Sequence, residues 1–248
     1  MDCVIEPGRS RNEPLLPPAG ILAVNPADWG FLKEYARTHG FRRQSLFHAG
    51  LYCSDSIFLA GPAVGAPMAV LCLEKLVALG GRRIVLHGWC GALSEQLHLT
   101  DVVVPGWGLI EEGTSLHYGG LYTGGSGPDP VLRQLLMDGL TAEGFAPVQG
   151  PVWTTDAPYR ETVVKVDRYR DAGVLAVDME YSALCTVAAF RRIRLAGVLL
   201  VSDELWRRPW TPGFARKSFR RKGHALLMML IDLLTAETMG HDEGERLR

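Results

Sequence analysis

Short, nearly unbroken apolar runs alternate with amphipathic stretches of helical length along most of this chain, and that alternation is the strongest constraint on its fold. The runs GILAV (20–24), RRIVLHG (82–88), DVVVPG (101–106), VLAVDME (174–180) and LAGVLLVSDE (195–204) have the length and apolarity of buried strands. SLFHAGLYCSDSIFLAG (45–61) reads as two further strands joined at Cys53-Ser54-Asp55. Between them lie helical stretches: DWGFLKEYARTHG (28–40), Met68 to Leu79 closed by Gly80-Gly81, PVLRQLLMDGLTAEG (130–144), YSALCTVAAFRR (181–192), and a last helix from about Pro212 to Met239. Strands alternating with helices predict an α/β fold, with a mixed β-sheet flanked by helices on both faces. Without an internal repeat or a linker, one domain over 20–238 is expected, with a loose arm at 1–19 and a fraying tail at 239–248.

Bulk properties exclude several functions. The 248 residues carry a formal charge of −1, which offers no general attraction to nucleic acid or anionic lipid. Five scattered cysteines with no C-x-x-C predict neither a metal knuckle nor a disulfide frame, and suit a reducing cytoplasm. The seven histidines show no metal spacing. The first 18 residues are polar and proline-broken, and ALLMMLIDLL (225–234) is too short to span a bilayer, so no membrane association is expected. RRPWTPGFARKSFRRK (207–222) mixes cations with aromatics, but the acidic remainder of the chain favours a solvated start to the last helix over a nucleic-acid surface. Dinucleotide, Walker and nucleophile-elbow motifs are missing.

In such sheets ligands gather at the carboxyl ends of strands, which makes the polar residues there the candidates for chemistry. Glu180 can accept hydrogen bonds from vicinal hydroxyls, as a ribose presents; equally, it can be an acid in the first turn of the next helix. Asp203 ends the most apolar run and is suited to giving up a proton, although SDE is also good N-cap chemistry. LHGWCGAL (86–93) runs a strand into what reads as a turn with glycines at 88 and 91, a shape that can hold an anion on backbone N–H groups, yet Trp89 sits between them.

The segments AGPAVGAPMAVLCLEKL, GWCGAL, DVVVPG, VDMEYSALCTVAA and LLVSDE, in this order and spacing, resemble the nucleoside phosphorylases of the purine nucleoside and uridine phosphorylase type, over roughly 20–238. The resemblance implies one α/β domain around a distorted mixed sheet, with active sites shared across a homodimer or in a hexameric ring. It implies a nucleoside substrate, phosphate as co-substrate, and neither a further cofactor nor a metal. Met179 and Glu180 would grip the sugar, with Asp178 before them, and Asp203 would protonate the leaving purine, supported by Arg216 thirteen residues on. Such proton delivery fits the chemistry, because the base leaves with the glycosidic electron pair. WTTDAPYRET would cover the base through Tyr159, Thr155 and Arg160; without a glutamine to read uracil it tilts the substrate toward purines.

The phosphate half departs from the family pattern. Asp28 stands where a cation is wanted, Leu86 replaces the strand arginine, and Trp89 replaces a hydroxyl. Arg43, lent by a neighbouring chain, and the backbone at Gly65 and Gly88, with His87 nearby, are what remains for the anion. A dianion leaves water only at a cost of many kcal/mol unless several donors replace its shell. Phosphorolysis to free base and ribose 1-phosphate, which the family favours, is the first reading; the alternatives are hydrolysis to free base and sugar, which the residues favour, and a non-catalytic nucleoside-binding protein.

Overall fold

The computed structural model describes the backbone of residues 3–246 and the side chains of residues 3–238. The first strand, β1 (Ala19–Ala23), is buried along its whole length. Asn25 follows, and its side chain accepts from Ala27 N–H at 2.9 Å; with Pro26 at the first position this starts α1 (Pro26–Thr38). The two strands expected on either side of Cys53-Ser54-Asp55 form as β3 (Ala49–Cys53) and β4 (Ile57–Gly61), and an unexpected strand before them, β2 (Arg42–Leu46), completes an antiparallel meander. The extra strand lies in the polar stretch RRQSL, half-exposed at the sheet edge, where no apolar run announces it.

After α2 (Ala66–Ala78), β5 (Arg83–Ala92) overruns its predicted end. No turn forms at Gly88: β5 stays extended through Trp89 and Gly91, paired with its parallel neighbour along its length. The glycines answer to packing. A Cβ at 88 would lie 2.7 Å from Val24 Cγ2, and one at 91 would lie 2.2 Å from Leu205 Cδ1.

β6 (Val102–Glu111) is followed by a short 3-10 turn, the two-residue β7 (Gly125–Ser126), and α3 (Pro130–Ala142), which is capped by the Asp129 side chain. β8 (Val148–Thr155) leads through a 3-10 turn at Pro158–Arg160 into α4 (Val163–Asp171), a helix whose charged sequence hides its apolar side. β9 (Ala176–Asp178), α5 (Tyr181–Arg191) and β10 (Arg194–Glu204) come next. The two-residue β11 (Thr211–Pro212) pairs back on β10, so α6 (Lys217–Arg246) begins five residues later than predicted. α6 runs through most of the expected tail; residues 247–248 lie outside the described residues.

All strands join one mixed sheet in the order β11-β10-β6-β8-β9-β5-β1-β4-β3-β2, with β7 on β6. Because β10 also pairs with β5, the strands β5, β10, β6, β8 and β9 close on themselves, which removes edges at that end. Helices α2 and α5 pack one apolar cluster on the sheet, and α1, α3 and α6 pack another on the opposite face. A third cluster, around Trp153, Tyr169 and Leu205, lies beside the closed strands. Residues 3–18, expected as a loose arm, contain no helix or strand but are tied down: Leu16 is buried with its N–H on Leu79 O, and Glu13 pairs with Lys75 at 2.7 Å. Among the described residues no helix is long and apolar enough to cross a membrane.

Candidate active site

Strand ends from β1, β5, β9 and β10 open into one cavity of about 650 Å³, lined among others by Asn25, Cys90, Asp178, Glu180 and Asp203. The two readings of the acidic pair after β9 divide between its members. Asp178 serves the helix: its Oδ2 accepts from Tyr181 N–H at 2.7 Å and Glu180 N–H at 3.2 Å, and its Oδ1 accepts from Thr154 Oγ–H at 2.6 Å. Glu180 reaches away from that helix, and its Oε1 accepts the N–H of Gly65 at 2.6 Å. Gly65 sits at φ +81, a conformation that favours glycine, where the chain turns into α2. The backbone donor expected for an anion is therefore spent on Glu180. Burial pushes both carboxyls up; Asp178 pushes Glu180 further, while the bonds to Asp178 pull its own value back.

Asp203 is aimed by an irregularity in β10. Val201 pairs with Cys90 and Asp203 with Gly91, so Ser202 is one residue too many and bulges. Ser202 Oγ lies 2.6 Å from Asp203 Oδ1 and 3.2 Å from Cys90 O, and Trp210 Nε1–H donates to Asp203 Oδ2 at 2.8 Å. The missing side chain of Gly91 keeps the carboxylate's place open, since a Cβ there would come within 3.2 Å of Oδ2. Arg216, expected to support Asp203, is exposed just ahead of α6; among the described residues Asp203's hydrogen-bond partners are Ser202 and Trp210.

Of the predicted base-covering residues, Tyr159 lines the cavity mouth with its side chain fully exposed. Thr155 is buried at the end of β8 with its hydroxyl toward Ala157 N–H, and Arg160 is exposed; neither lines the cavity. Met179 does line it. So do Glu161, Arg207, Arg208, Trp210 and Phe214, which sequence reasoning did not assign to the site. The basic stretch after β10 thus contributes a cavity wall before the last helix begins. Its two leading arginines are already engaged: Arg207 Nε lies 2.5 Å from Glu204, and Arg208 donates to Leu205 O.

The residues expected around phosphate are dispersed. Leu86 is fully buried in the core against α5 and its neighbours. Asp28 is buried too, its Oδ2 3.4 Å from Nε2 of the fully buried His87. Trp89 lines the cavity but packs edge-on against Phe219, ring centroids 4.9 Å apart. Gly88 is interior strand, and Arg43 is exposed on β2, away from this chain's cavity. Among the described residues no group of three or more His, Cys, Asp or Glu is arranged to hold a metal ion.

Comparison with known proteins agrees with this architecture. A model of the phosphorylase superfamily matches residues 18–234. The chain is 28% identical over 166 residues to a DeoD-type purine nucleoside phosphorylase of Bacillus cereus, covering 66% of this chain and 70% of that protein. Purine nucleoside phosphorylase from Toxoplasma gondii, solved with immucillin-H, superposes with a TM-score of 0.76 at 21% identity over 97% of this chain and 99% of the other. AMP nucleosidase from Bacteroides thetaiotaomicron superposes with a TM-score of 0.71 at 23% identity over 88% of each chain. With the family match spanning most of its length, this chain belongs to the phosphorylase superfamily, as its resemblance to the nucleoside phosphorylases implied.

Proposed function

We propose that this protein cleaves the N-glycosidic bond of a purine nucleoside in the cavity between Glu180 and Asp203, with water as the acceptor of the sugar. One observation carries the reading: the carboxylates suited to sugar and base line one cavity, while the positions where phosphate needs donors hold Leu86 and Asp28, both buried, and the indole of Trp89 on the cavity wall. Glu180, anchored through Gly65, would hold the sugar hydroxyls, and Met179 would pack on the ring. As the C–N bond breaks, its electron pair moves to the base and a proton must follow. Asp203 stands at the base end to deliver it. Ser202 suits this task in both states: a protonated Asp203 donates to Ser202 Oγ, which passes its own O–H to Cys90 O, and an ionised Asp203 receives the Ser202 O–H instead. Tyr159 and Trp210 offer aromatic surface to the heterocycle.

Phosphorolysis, the reading expected first from the sequence, is the second reading here, supported by relatives named as purine nucleoside phosphorylases and by Arg43, which is exposed and free to enter a neighbouring chain's cavity in a homodimer or hexamer. Incubating the protein with inosine and adenosine, with and without inorganic phosphate, separates the readings by product. Free base and ribose without phosphate are the expected result. Ribose 1-phosphate formed only with phosphate would overturn hydrolysis, and tight binding without base release would overturn both in favour of a nucleoside sensor.

A further inference from the structure

Four carboxyls face this cavity, and three of them have partners. Asp178 accepts three hydrogen bonds, Glu180 accepts one from Gly65, and Asp203 is held by Ser202 and Trp210. Glu161, in the turn between β8 and α4, lines the same cavity, yet among the described residues its carboxyl makes no hydrogen bond and joins no ion pair. The other titratable groups lining the cavity are Asp203 from β10, Asp178 and Glu180 from the β9–α5 junction, Cys90 from β5, and Arg207 and Arg208 from the segment after β10; Tyr159 shares the turn of Glu161. Both arginines could have neutralised it, but Arg207 is paired with Glu204, and Arg208 is directed at Leu205 O with Asp167 3.7 Å away. A carboxyl that is partly desolvated, close to a like charge and without a cation keeps its proton. Burial first, and Asp203 second, push Glu161 up to about 8.

We infer that Glu161 is a second acid of this cavity, a catalytic residue that takes over from Asp203 the delivery of the proton to the departing heterocycle while Asp203 holds another edge of the same base; the inference rests on the glycosidic-cleavage reading above and changes only the proton donor. Asp203 is the hydrogen-bonded member of the pair and Glu161 the unpartnered one, an arrangement in which two neighbouring carboxyls can take different roles. The step balances. The C–N electron pair goes to the base, the Glu161 O–H proton goes to a ring nitrogen, and the incoming oxygen nucleophile forms the new bond to the anomeric carbon. With water as nucleophile, the proton it sheds restores Glu161 through solvent.

The test is Glu161→Gln, which matches the neutral carboxyl in size and keeps a donor but has no proton to release. On inosine its kcat should fall about 100-fold, the usual scale of general-acid catalysis. On p-nitrophenyl riboside, whose leaving group departs without protonation, it should keep most of its rate. The wild-type inosine profile should decline as pH rises through about 8, where the acid form is lost, and Glu161→Gln should lack that limb. Glu161→Asp should recover part of the inosine rate. In the free protein, carbon NMR of labelled glutamate side chains should show a resonance titrating near pH 8 that disappears in Glu161→Gln. Equal slowing on both substrates, or no such resonance in the wild type, would overturn the inference while leaving glycosidic cleavage intact. A wild type inactive on both substrates would overturn the reading beneath it, and the inference with it.

Discussion

Glu180 and Asp28 are equally buried, each with 5% of its surface exposed, and they answer burial in opposite ways. Glu180 is turned to the cavity and takes a backbone N–H from across the fold. Asp28 is turned to the core, where its Oδ2 and the facing His87 Nε2 lie 3.4 Å apart without a well-formed hydrogen bond. The two regions share strands: β1 and β5 feed the floor around Asp28, and β5 and β10 feed the wall around Asp203. Backbone placement is thus common to both, and side chains decide that one region opens carboxyls into a cavity while the other packs. A phosphate dianion would need several donors at the floor. Leu86, Trp89 and Asp28 supply instead an aliphatic side chain, an indole and a like charge.

The comparison breaks most severely if the floor can be turned back into an anion site. Leu86→Arg supplies the missing cation by sequence logic, but Leu86 is fully exposed to nothing except core, between β1 and β10. An unpaired guanidinium there costs several kcal/mol, a large share of a stability of roughly 5–15 kcal/mol. The expected outcome is a protein that is insoluble, or that melts more than about 10 °C lower by circular dichroism. A folded variant with phosphate-stimulated base release would show that the floor still accepts an anion.

Asp203→Asn probes the other region, where the expected loss is in chemistry and not in folding. Base release should slow about 1000-fold, as expected for a group that holds the base more tightly while it departs than before, and calorimetric affinity for inosine should change less than about threefold. Equal losses of binding and turnover would mean that Asp203 contributes to ground-state binding alone and adds nothing as the base departs, and the contrast between the cavity wall and the packed floor would lose half its support.

What was legible in the sequence follows the same division between local and distant causes. Asp178, Glu180 and Asp203 could be found because each ends an apolar run, and an apolar run names its own strand. Gly88 and Gly91 misled for an equally local reason: glycine is the usual signal of a turn, whereas here Val24 and Leu205 on neighbouring elements require it within a strand. β2 and α4 carry polar sequences whose apolar side is revealed only by what packs on them. Arg216 was reached by counting along the chain, and counting assumes a simple path from β10 to the last helix. The path instead folds back: β11 lays Pro212 beside Asp203, and that return brings Trp210 to the carboxylate in place of Arg216. Glu161, inferred above to be a second acid, has no sequence signal at all, since what marks it is that neither nearby arginine is paired with it.

Trp210→Phe is the gentlest probe of the contrast, and it separates the indole's two contributions. The substitution removes the Nε1–H that donates to Asp203 Oδ2 but keeps an aromatic ring near Phe214, 6.3 Å between centroids. Trp210 is more than half exposed, so the lost bond is worth about 1 kcal/mol at this site and the fold should be indifferent to it. Inosine turnover should fall roughly fivefold with an unchanged melting temperature, because Asp203 keeps Ser202 but loses one of the two bonds that orient it. A fall as deep as that of Asp203→Asn would make the orientation of the carboxylate, and not its proton, the main asset of the wall. No fall at all would mean that the bulge at Ser202 aims Asp203 unaided, and that the returning loop serves only to cover the base.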